Sequence, residues 1–220
     1  MKADSDNIVM NRVRRALGRE TSLHEPPVPP EIDEPIVRLV SSSIGLPELF
    51  QKRATDMKML VETVRVDELL AKLAGFLREY QSKKVMLSAT SLLHDLNAVA
   101  YMNENGFQAK SWRDMTSDEA YEFDAGVTEV DYAVAETGSL VIRHRPEQGR
   151  LLSLVPFVHV AIVQPKDLLP DLVDLFETLA REGSGSGVTM ISGPSKTADI
   201  EMNTVTGVHG PNVVKAFLLS

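Results

Sequence analysis

The sequence predicts an α/β protein with a mostly parallel sheet and helices on both faces of that sheet. In the first half of the chain, helical and strand-like patterns alternate, which is typical of parallel sheets covered by helices. In the second half, short apolar strand-like runs dominate. The 220 residues, 43% hydrophobic and 25% charged, are enough for one sizeable core in a soluble globular protein.

The N-terminal region predicts an amphipathic helix followed by a linker. The helix is expected within residues 1–20, with Ser5 as its N-cap and Gly18 as its stop signal. Its apolar stripe consists of Ile8, Val9, Val13, Ala16 and Leu17. Residues 21–36 contain five prolines and predict an extended linker. The main α/β domain is therefore expected over residues 37–220.

The elements of the main domain follow from periodicity and turn signals. Helices are expected over residues 47–63, 67–80, 92–105, 117–123 and 167–182. Strands are expected over residues 84–88, 108–111, 132–135, 139–144, 159–163, 188–191 and 213–219.

Charge and composition exclude several classes of function. The formal net charge of -8 argues against a nucleic-acid partner, because binding to phosphates needs a clustered basic surface. The chain has no cysteine, which excludes disulfides, thiolate nucleophiles and cysteine-ligated clusters on this polypeptide. The longest uncharged stretch, residues 151–165, is too short to span a membrane. We therefore expect a cytoplasmic protein without a membrane span.

The first candidate site lies in AETGSL, residues 135–140, between two strand-like runs. Glu136 at such a turn can act as a base, a nucleophile or an acceptor that orients a ligand, and Thr137 and Gly138 would bind the ligand beside it. Alternatively, Glu136 only caps a β-turn and Gly138 supplies a positive φ.

The second candidate site lies in SGPSKTADIE, residues 192–201. Small and hydroxylated residues with one lysine can form a nest of backbone amides for an anion, and a helix beginning near Thr197 would add its dipole. The alternative is an ordinary strand-to-helix turn with Ser195 or Thr197 as N-cap. The expected ligand-binding residues here are Ser192, Gly193, Ser195, Lys196, Thr197 and Asp199.

The third candidate site is GVHGP, residues 207–211. Gly207 and Gly210 would let the backbone approach a ligand closely, and His209 could act as a base. A second histidine, His159, lies in an apolar run and is expected to be a hydrogen-bonded core residue. No metal site is expected, because no spacing motif joins these histidines to Asp199 and Glu201.

These loops are expected at strand ends, where open α/β sheets bind their ligands. We therefore expect them around one cleft that binds a small carboxylate or phosphate ligand, with Lys196 and loop amides holding the carboxylate in the case of lactate. Glu136 or His209 would then orient or deprotonate a hydroxyl group of the ligand.

Four segments resemble, in their order and spacing, the LUD domain of the lactate utilisation protein C family. They are AETGSL at 135–140, RLLSLVPFVHVAIV at 150–163, SGPSKTADIE at 192–201 and GVHGP at 207–211. The resemblance extends to NRVRRALGR near the N-terminus. It implies a Rossmann-like sheet similar to that of the sugar-phosphate isomerase and coenzyme A transferase group. It also implies a subunit without clusters, beside iron–sulfur partner proteins that oxidise L-lactate to pyruvate.

Two alternatives remain open. Coenzyme A transferases use a glutamate in a strand-end turn, so the chain could be a free-standing enzyme of this fold group that uses Glu136. It could also be a non-catalytic interaction or regulatory module, in which the N-terminal helix joins copies of the chain or a different subunit. In every case no cofactor is expected on this chain.

Overall fold

The computed structural model describes residues 8–18, 45–183, 185–198, 204–206 and 210–220 of the chain. Contacts divide the chain into two units, residues 1–37 and residues 38–220. In the first unit, helix α1 spans Ile8–Ala16, and Gly18 follows it with a φ of 65°. This agrees with a helix that stops at a glycine. Ser5 and the predicted linker over residues 21–36 lie outside the described residues.

The second unit alternates helices and strands in its first half, as the sequence predicts. The helices are α2 (Leu46–Asp56), α3 (Leu69–Glu79), α4 (Ser91–Asp95), α5 (Ala98–Glu104), α6 (Leu151–Leu154) and α7 (Leu172–Glu182). The strands are β1 (Leu60–Val64), β2 (Lys84–Leu87), β3 (Gln108–Ser111), β4 (Ala125–Glu129), β5 (Tyr132–Val134), β6 (Ser139–Arg143), β7 (Val158–Val163), β8 (Leu168–Leu169), β9 (Val188–Ile191), β10 (Lys196–Ala198), β11 (Thr204–Thr206) and β12 (Val213–Leu219).

Six strands form a parallel main sheet in the order β1-β12-β7-β4-β2-β3. The chain leaves β2 for β3 on one side and then returns to β4 on the other side of β2. From β4 it continues outward through β7 and β12. The strand order therefore reverses between β2 and β4, and the carboxyl ends of these two strands form the topological switch point of the sheet.

A smaller sheet with the order β8-β5-β6-β9 contains both antiparallel and parallel pairs, and β10 pairs with β11 as an antiparallel hairpin. Helices α3, α4 and α5 pack on one face of the main sheet, against alternate residues such as Val127 and Val160. Helix α2 and the small sheet pack on the other face, against Ala161 and Ala216. The predicted α/β class, with a mostly parallel sheet, is confirmed.

One predicted element is wrong in its second half. The helix expected over residues 47–63 ends at Asp56, and Lys58 then takes a φ of 68°. The amide of Met59 donates to the Ala54 carbonyl at 3.0 Å, which closes the turn. Residues Leu60–Val64 continue the apolar spacing of the helix, but they pair with β12 as an edge strand.

Three further predictions need smaller corrections. The helix over residues 92–105 is two short helices, because Asn97 lies in the left-handed region with a φ of 54°. The helix over residues 167–182 begins later, where the Asp171 carboxylate accepts from the Asp174 amide at 3.0 Å. The helix expected near Thr197 is the strand β10 instead. The strands β4, β8, β10 and β11 were not predicted.

His159 is a core residue, as its apolar surroundings predict. Its side chain is fully buried on β7, and Nε2 shares a hydrogen bond of 2.9 Å with the Thr128 hydroxyl. Burial lowers the pKa of this imidazole to about 3, because a charged ring would lose its hydration in the core. His159 is therefore neutral in the folded protein near neutral pH.

This burial predicts a loss of stability in mild acid. The unfolded imidazole binds a proton near its ordinary pKa of 6.5, whereas the folded one resists protonation down to about 3. As pH falls through this window, proton binding to the unfolded chain lowers the free energy of unfolding by up to about 1.4 kcal/mol per pH unit. We expect His159→Gln, which can keep a hydrogen bond to Thr128, to lose less stability than the wild type between about pH 6 and pH 4. Urea titrations of both proteins at several pH values measure this, and parallel pH profiles would contradict it.

Gly126 on β4 lets the main sheet approach helix α6. A Cβ atom at this position would lie 1.9 Å from the Leu152 carbonyl oxygen, which belongs to the backbone of α6. Because a backbone atom cannot rotate away as a side chain can, any larger residue at this position must displace the helix.

We expect Gly126→Ala to lower the free energy of unfolding by about 1–3 kcal/mol, because α6 must shift. Gly75→Ala is the matched control, since Gly75 is exposed within α3 and an added Cβ would meet nothing within 4 Å. The control should be neutral or gain about 0.5–1 kcal/mol from helix propensity. Equal stabilities of the two variants in urea would show that the contact with α6 is unimportant.

The described part of the chain contains no helix that is long and apolar enough to cross a membrane.

Candidate functional site

The turn that carries Glu136 joins β5 to β6 and lies against helix α2. The Glu136 amide donates to the Pro170 carbonyl at 2.9 Å, and the side chain of Glu136 is partly exposed. Gly138 has a φ of 64°, and a Cβ there would lie 2.2 Å from the Ala54 amide nitrogen. Gly138 is therefore needed both for the turn and for close packing on α2.

Ser192 lies beside this turn because β9 pairs with β6. The Thr137 hydroxyl donates to the Ser139 hydroxyl at 2.8 Å, and the Ser139 and Ser192 hydroxyls share a hydrogen bond of 2.6 Å. Gly193 follows with a φ of 105°, and a Cβ there would lie 2.3 Å from the Met57 carbonyl oxygen. The structure therefore brings the first two predicted loops together through a chain of hydroxyl groups.

The third predicted loop meets the second one at Ser195. The Ser195 amide donates to the Pro211 carbonyl at 2.9 Å, and a Cβ on Gly210 would lie 3.2 Å from the Ser195 Cβ. Lys196 is exposed where β10 begins. Three predicted site residues, Asp199, Gly207 and His209, and the side chain of Thr197 lie outside the described residues.

These segments, residues 136–138, 192–196 and 210–211, are called here the amino-edge loops, because they lie where the main-sheet strands begin. The Asn212 amide, just before β12, donates to the Phe157 carbonyl, just before β7, at 2.9 Å. Parallel α/β sheets bind ligands outside the opposite, carboxyl edge. The fold-based reason for choosing these loops is therefore wrong, and their assignment as a ligand site stays a prediction.

A cavity of about 290 Å³ opens at the carboxyl edge, beside the switch point, and is called here the switch-point cleft. Ser88 and Ala89 follow β2, Ser111 ends β3, and α4 and α5 form the wall between them. The lining residues are Ser88, Ala89, Leu93, His94, Asn97, Ala98, Val99, Ser111, Arg113 and Asp114.

Glu129 is a buried carboxylate directly behind this cleft, at the carboxyl end of β4. Its Oε1 accepts a hydrogen bond from the Thr90 hydroxyl and another, of 2.9 Å, from the Leu93 amide. The Thr90 hydroxyl in turn shares a hydrogen bond of 2.9 Å with the Ser88 hydroxyl. A buried carboxylate needs such donors to offset its lost hydration. The Glu129 carboxylate thus accepts from two donors, the Thr90 hydroxyl and the Leu93 amide, that could otherwise bind an anionic ligand.

Gln148 fixes the backbone of Glu129. Its amide oxygen accepts from the Glu129 amide at 3.1 Å, and its amide nitrogen donates to the Glu129 carbonyl at 2.8 Å. Because Gln148 is fully buried, loss of either bond would leave a backbone group unpaired in the core. This clamp attaches the turn over residues 145–148 to the end of β4.

The same turn is bonded to two residues that line the switch-point cleft, Ala89 and Arg113. The Glu147 carbonyl accepts from the Ala89 amide at 2.8 Å, and the Glu147 carboxylate forms an ion pair of 2.7 Å with Arg113. The hydrogen bond from Arg113 lowers the pKa of the Glu147 carboxyl group. Arg145, at the start of the turn, pairs with the buried Asp131 carboxylate. The cleft therefore belongs to a connected polar network at the carboxyl edge.

The sequence analysis missed this cleft. Its residues come from two separate segments, residues 88–99 after β2 and residues 111–114 at the end of β3, and neither segment contains a glycine. One available signal was the sequence SATS, residues 88–91, whose hydroxyl groups follow a correctly predicted strand. Within the described residues, no group of three or more histidines and carboxylates is placed to hold a metal ion.

Comparisons with known proteins relate the chain to one family. The family model of the LUD domain matches residues 47–219. A lactate utilization protein C from an Exiguobacterium species is 30% identical over 222 residues, covering 92% of this chain and 90% of that protein. A protein of the same name from Halalkalibacterium halodurans is 32% identical over 180 residues, covering 77% of each chain. The uncharacterized protein YkgG of Escherichia coli is 30% identical over 237 residues, covering 98% of this chain and 97% of that protein.

A solved structure supports the fold alone. The crystal structure of a DUF162 family protein from Deinococcus radiodurans matches with a TM-score of 0.60 and 23% sequence identity, and the match covers 80% of this chain and 96% of that chain.

Proposed function

Because the chain belongs to the LUD domain family, we propose that it takes part in lactate utilisation, as a subunit that assists the oxidation of L-lactate to pyruvate. One observation carries this proposal. The match to a relative named lactate utilization protein C covers about nine tenths of both chains, so it involves more than the α/β domain.

The proposed division of labour follows from redox chemistry and composition. Oxidation of the lactate hydroxyl group to a ketone releases an electron pair, which needs an acceptor. This chain has no cysteine and so cannot supply a cysteine-ligated cluster. Iron–sulfur partner proteins would accept the electrons, while this chain would hold or position the substrate.

The proposed place for a small anionic ligand is the amino-edge loops. The exposed ammonium group of Lys196 can attract a carboxylate, and the linked hydroxyl groups of Thr137, Ser139 and Ser192 can donate to its oxygens. Glu136 lies on the same turn as Thr137, where its carboxylate can accept a proton from the ligand hydroxyl. His209 remains the alternative proton acceptor of this proposal.

The second candidate function is a free-standing enzyme of the same fold group. The observation behind this candidate is the switch-point cleft, a cavity of about 290 Å³ at the carboxyl edge of the sheet, where open α/β folds bind their ligands. Turnover by the purified chain alone would support a free-standing enzyme, whereas an accessory subunit needs its partners. A non-catalytic interaction module is the third candidate, and it predicts that the N-terminal residues 1–36 are required for assembly but not for folding.

Deletion of the gene in the native host tests the proposed role. The deletion strain should fail to grow on L-lactate as carbon source but should grow normally on pyruvate, because only the oxidation step is lost. A plasmid copy of the wild-type gene should restore growth on L-lactate. Unimpaired growth of the deletion strain on L-lactate would refute the role.

Point variants test the anionic site. We expect Lys196→Ala to lower the L-lactate oxidation rate of the assembled complex by roughly tenfold, because a charged hydrogen bond to the carboxylate is lost. Glu136→Gln should lower the rate by at least as much if this carboxylate accepts the proton. Lys52→Ala, on the exposed side of α2, is the control and should retain the wild-type rate. Full activity in both site variants would show that the amino-edge loops do not bind substrate.

A further inference from the structure

The switch-point cleft contains polar side chains that the fold itself does not use. The side chains of Asn97, Ser111 and Asp114 line the cavity, and none of them takes part in a hydrogen bond or ion pair with any described residue. Asn97 also has a left-handed backbone, with a φ of 54°. Such unpaired groups facing a cavity are available to donate hydrogen bonds to a ligand and to accept hydrogen bonds from it.

The charge around the cleft opposes an anionic ligand. Arg113 is the one lysine or arginine among the lining residues, and it is paired with Glu147 at 2.7 Å. Asp114 lines the cavity, and the Glu129 carboxylate accepts from the Leu93 amide in the wall. The cleft and its surroundings therefore carry three carboxylates and one guanidinium group, and the buried carboxylate is poorly screened by solvent.

Two donors that could have held an anion are already used. The Thr90 hydroxyl and the Leu93 amide both donate to Glu129. A phosphate group placed at this loop would have to compete with a carboxylate of the chain itself. The loop after β2 thus has fewer free donors for a phosphate group than phosphate-binding loops of this sheet topology offer.

Apart from Ser88 and His94, the rest of the wall is apolar, and the His94 ring lies 3.4 Å from the Asp95 carboxylate. Ala89, Leu93, Ala98 and Val99 form an apolar surface beside the polar groups. An uncharged ring can place its carbon face on such a surface while its hydroxyl groups reach Asp114, Ser111 and Asn97. The cavity, about 290 Å³, lies at the small end of the range for small-molecule sites.

We propose that the switch-point cleft binds a neutral ring with neighbouring hydroxyl groups, either the ribose of a nucleoside or a free monosaccharide. The Glu129 carboxylate excludes phosphorylated and carboxylated forms of such a ligand. This site is separate from the amino-edge loops, so the lactate role and this assignment can fail independently.

Calorimetric titration of the full-length chain at low salt tests the assignment. The probes are adenosine, uridine, D-ribose and D-glucose, followed by the monophosphate of whichever binds most tightly, and by L-lactate. We expect saturable binding of a nucleoside or a sugar. The probe that binds shows whether the ring is the ribose of a nucleoside or a free monosaccharide. The monophosphate should bind at least about tenfold more weakly because of the Glu129 charge. L-lactate should not compete with the neutral ligand.

Three variants test which side chains determine binding of the ligand. Asp114→Asn should weaken binding of the neutral ligand by about tenfold, because a charged acceptor is lost. Asp118→Asn, an exposed carboxylate outside the cleft, is the control and should bind as the wild type does. Glu129→Gln should reduce the difference in binding affinity between the neutral ligand and its monophosphate.

Two results would overturn the proposal, and both use the wild-type protein. One is that none of the four neutral probes binds at millimolar concentration. The other is that the monophosphate binds as tightly as its neutral parent. Neither result depends on whether the Glu129→Gln variant folds.

Discussion

The burial of β4 and β7 on both faces is the constraint on which the rest of the structure depends. Every residue of these two neighbouring strands is buried, so each face of the sheet needs its own cover. Helices α3, α4 and α5 supply one cover, and α2, α6 and the small sheet supply the other. Polar residues on these strands, such as His159 and Glu129, therefore need hydrogen-bond partners inside the protein.

This constraint explains why the carboxyl edge is organised as it is. Glu129 ends a buried strand, so its carboxylate accepts from the Thr90 hydroxyl and the Leu93 amide, and its backbone is bonded to the Gln148 side chain. The turn that supplies Gln148 also supplies Glu147, which holds Arg113 beside the cleft. A structural requirement at the end of β4 is therefore connected, through this turn, to two lining residues of the switch-point cleft, Ala89 and Arg113.

The sequence allowed the α/β class and most elements to be predicted, because period and turn signals are local. Local signals failed where tertiary pairing decided the outcome. Residues Leu60–Val64 fit a helical spacing, yet they pair with β12, and the strand Ala125–Glu129 contains residues with weak strand preference. The amino-edge glycines were correctly recognised as special, but at Gly138 and Gly193 the structure shows close packing on α2 and Met57. The switch-point cleft was missed because its residues meet only in the folded chain.

Under the proposed function, electrons from L-lactate would reach clusters on partner proteins only when this chain, which has no cysteine, is present. Electron paramagnetic resonance of the purified assembly, prepared with and without this chain, tests it directly. We expect L-lactate to reduce the clusters when the chain is present and to leave them oxidised when it is absent. Equal reduction of the clusters in both preparations would contradict the proposed function.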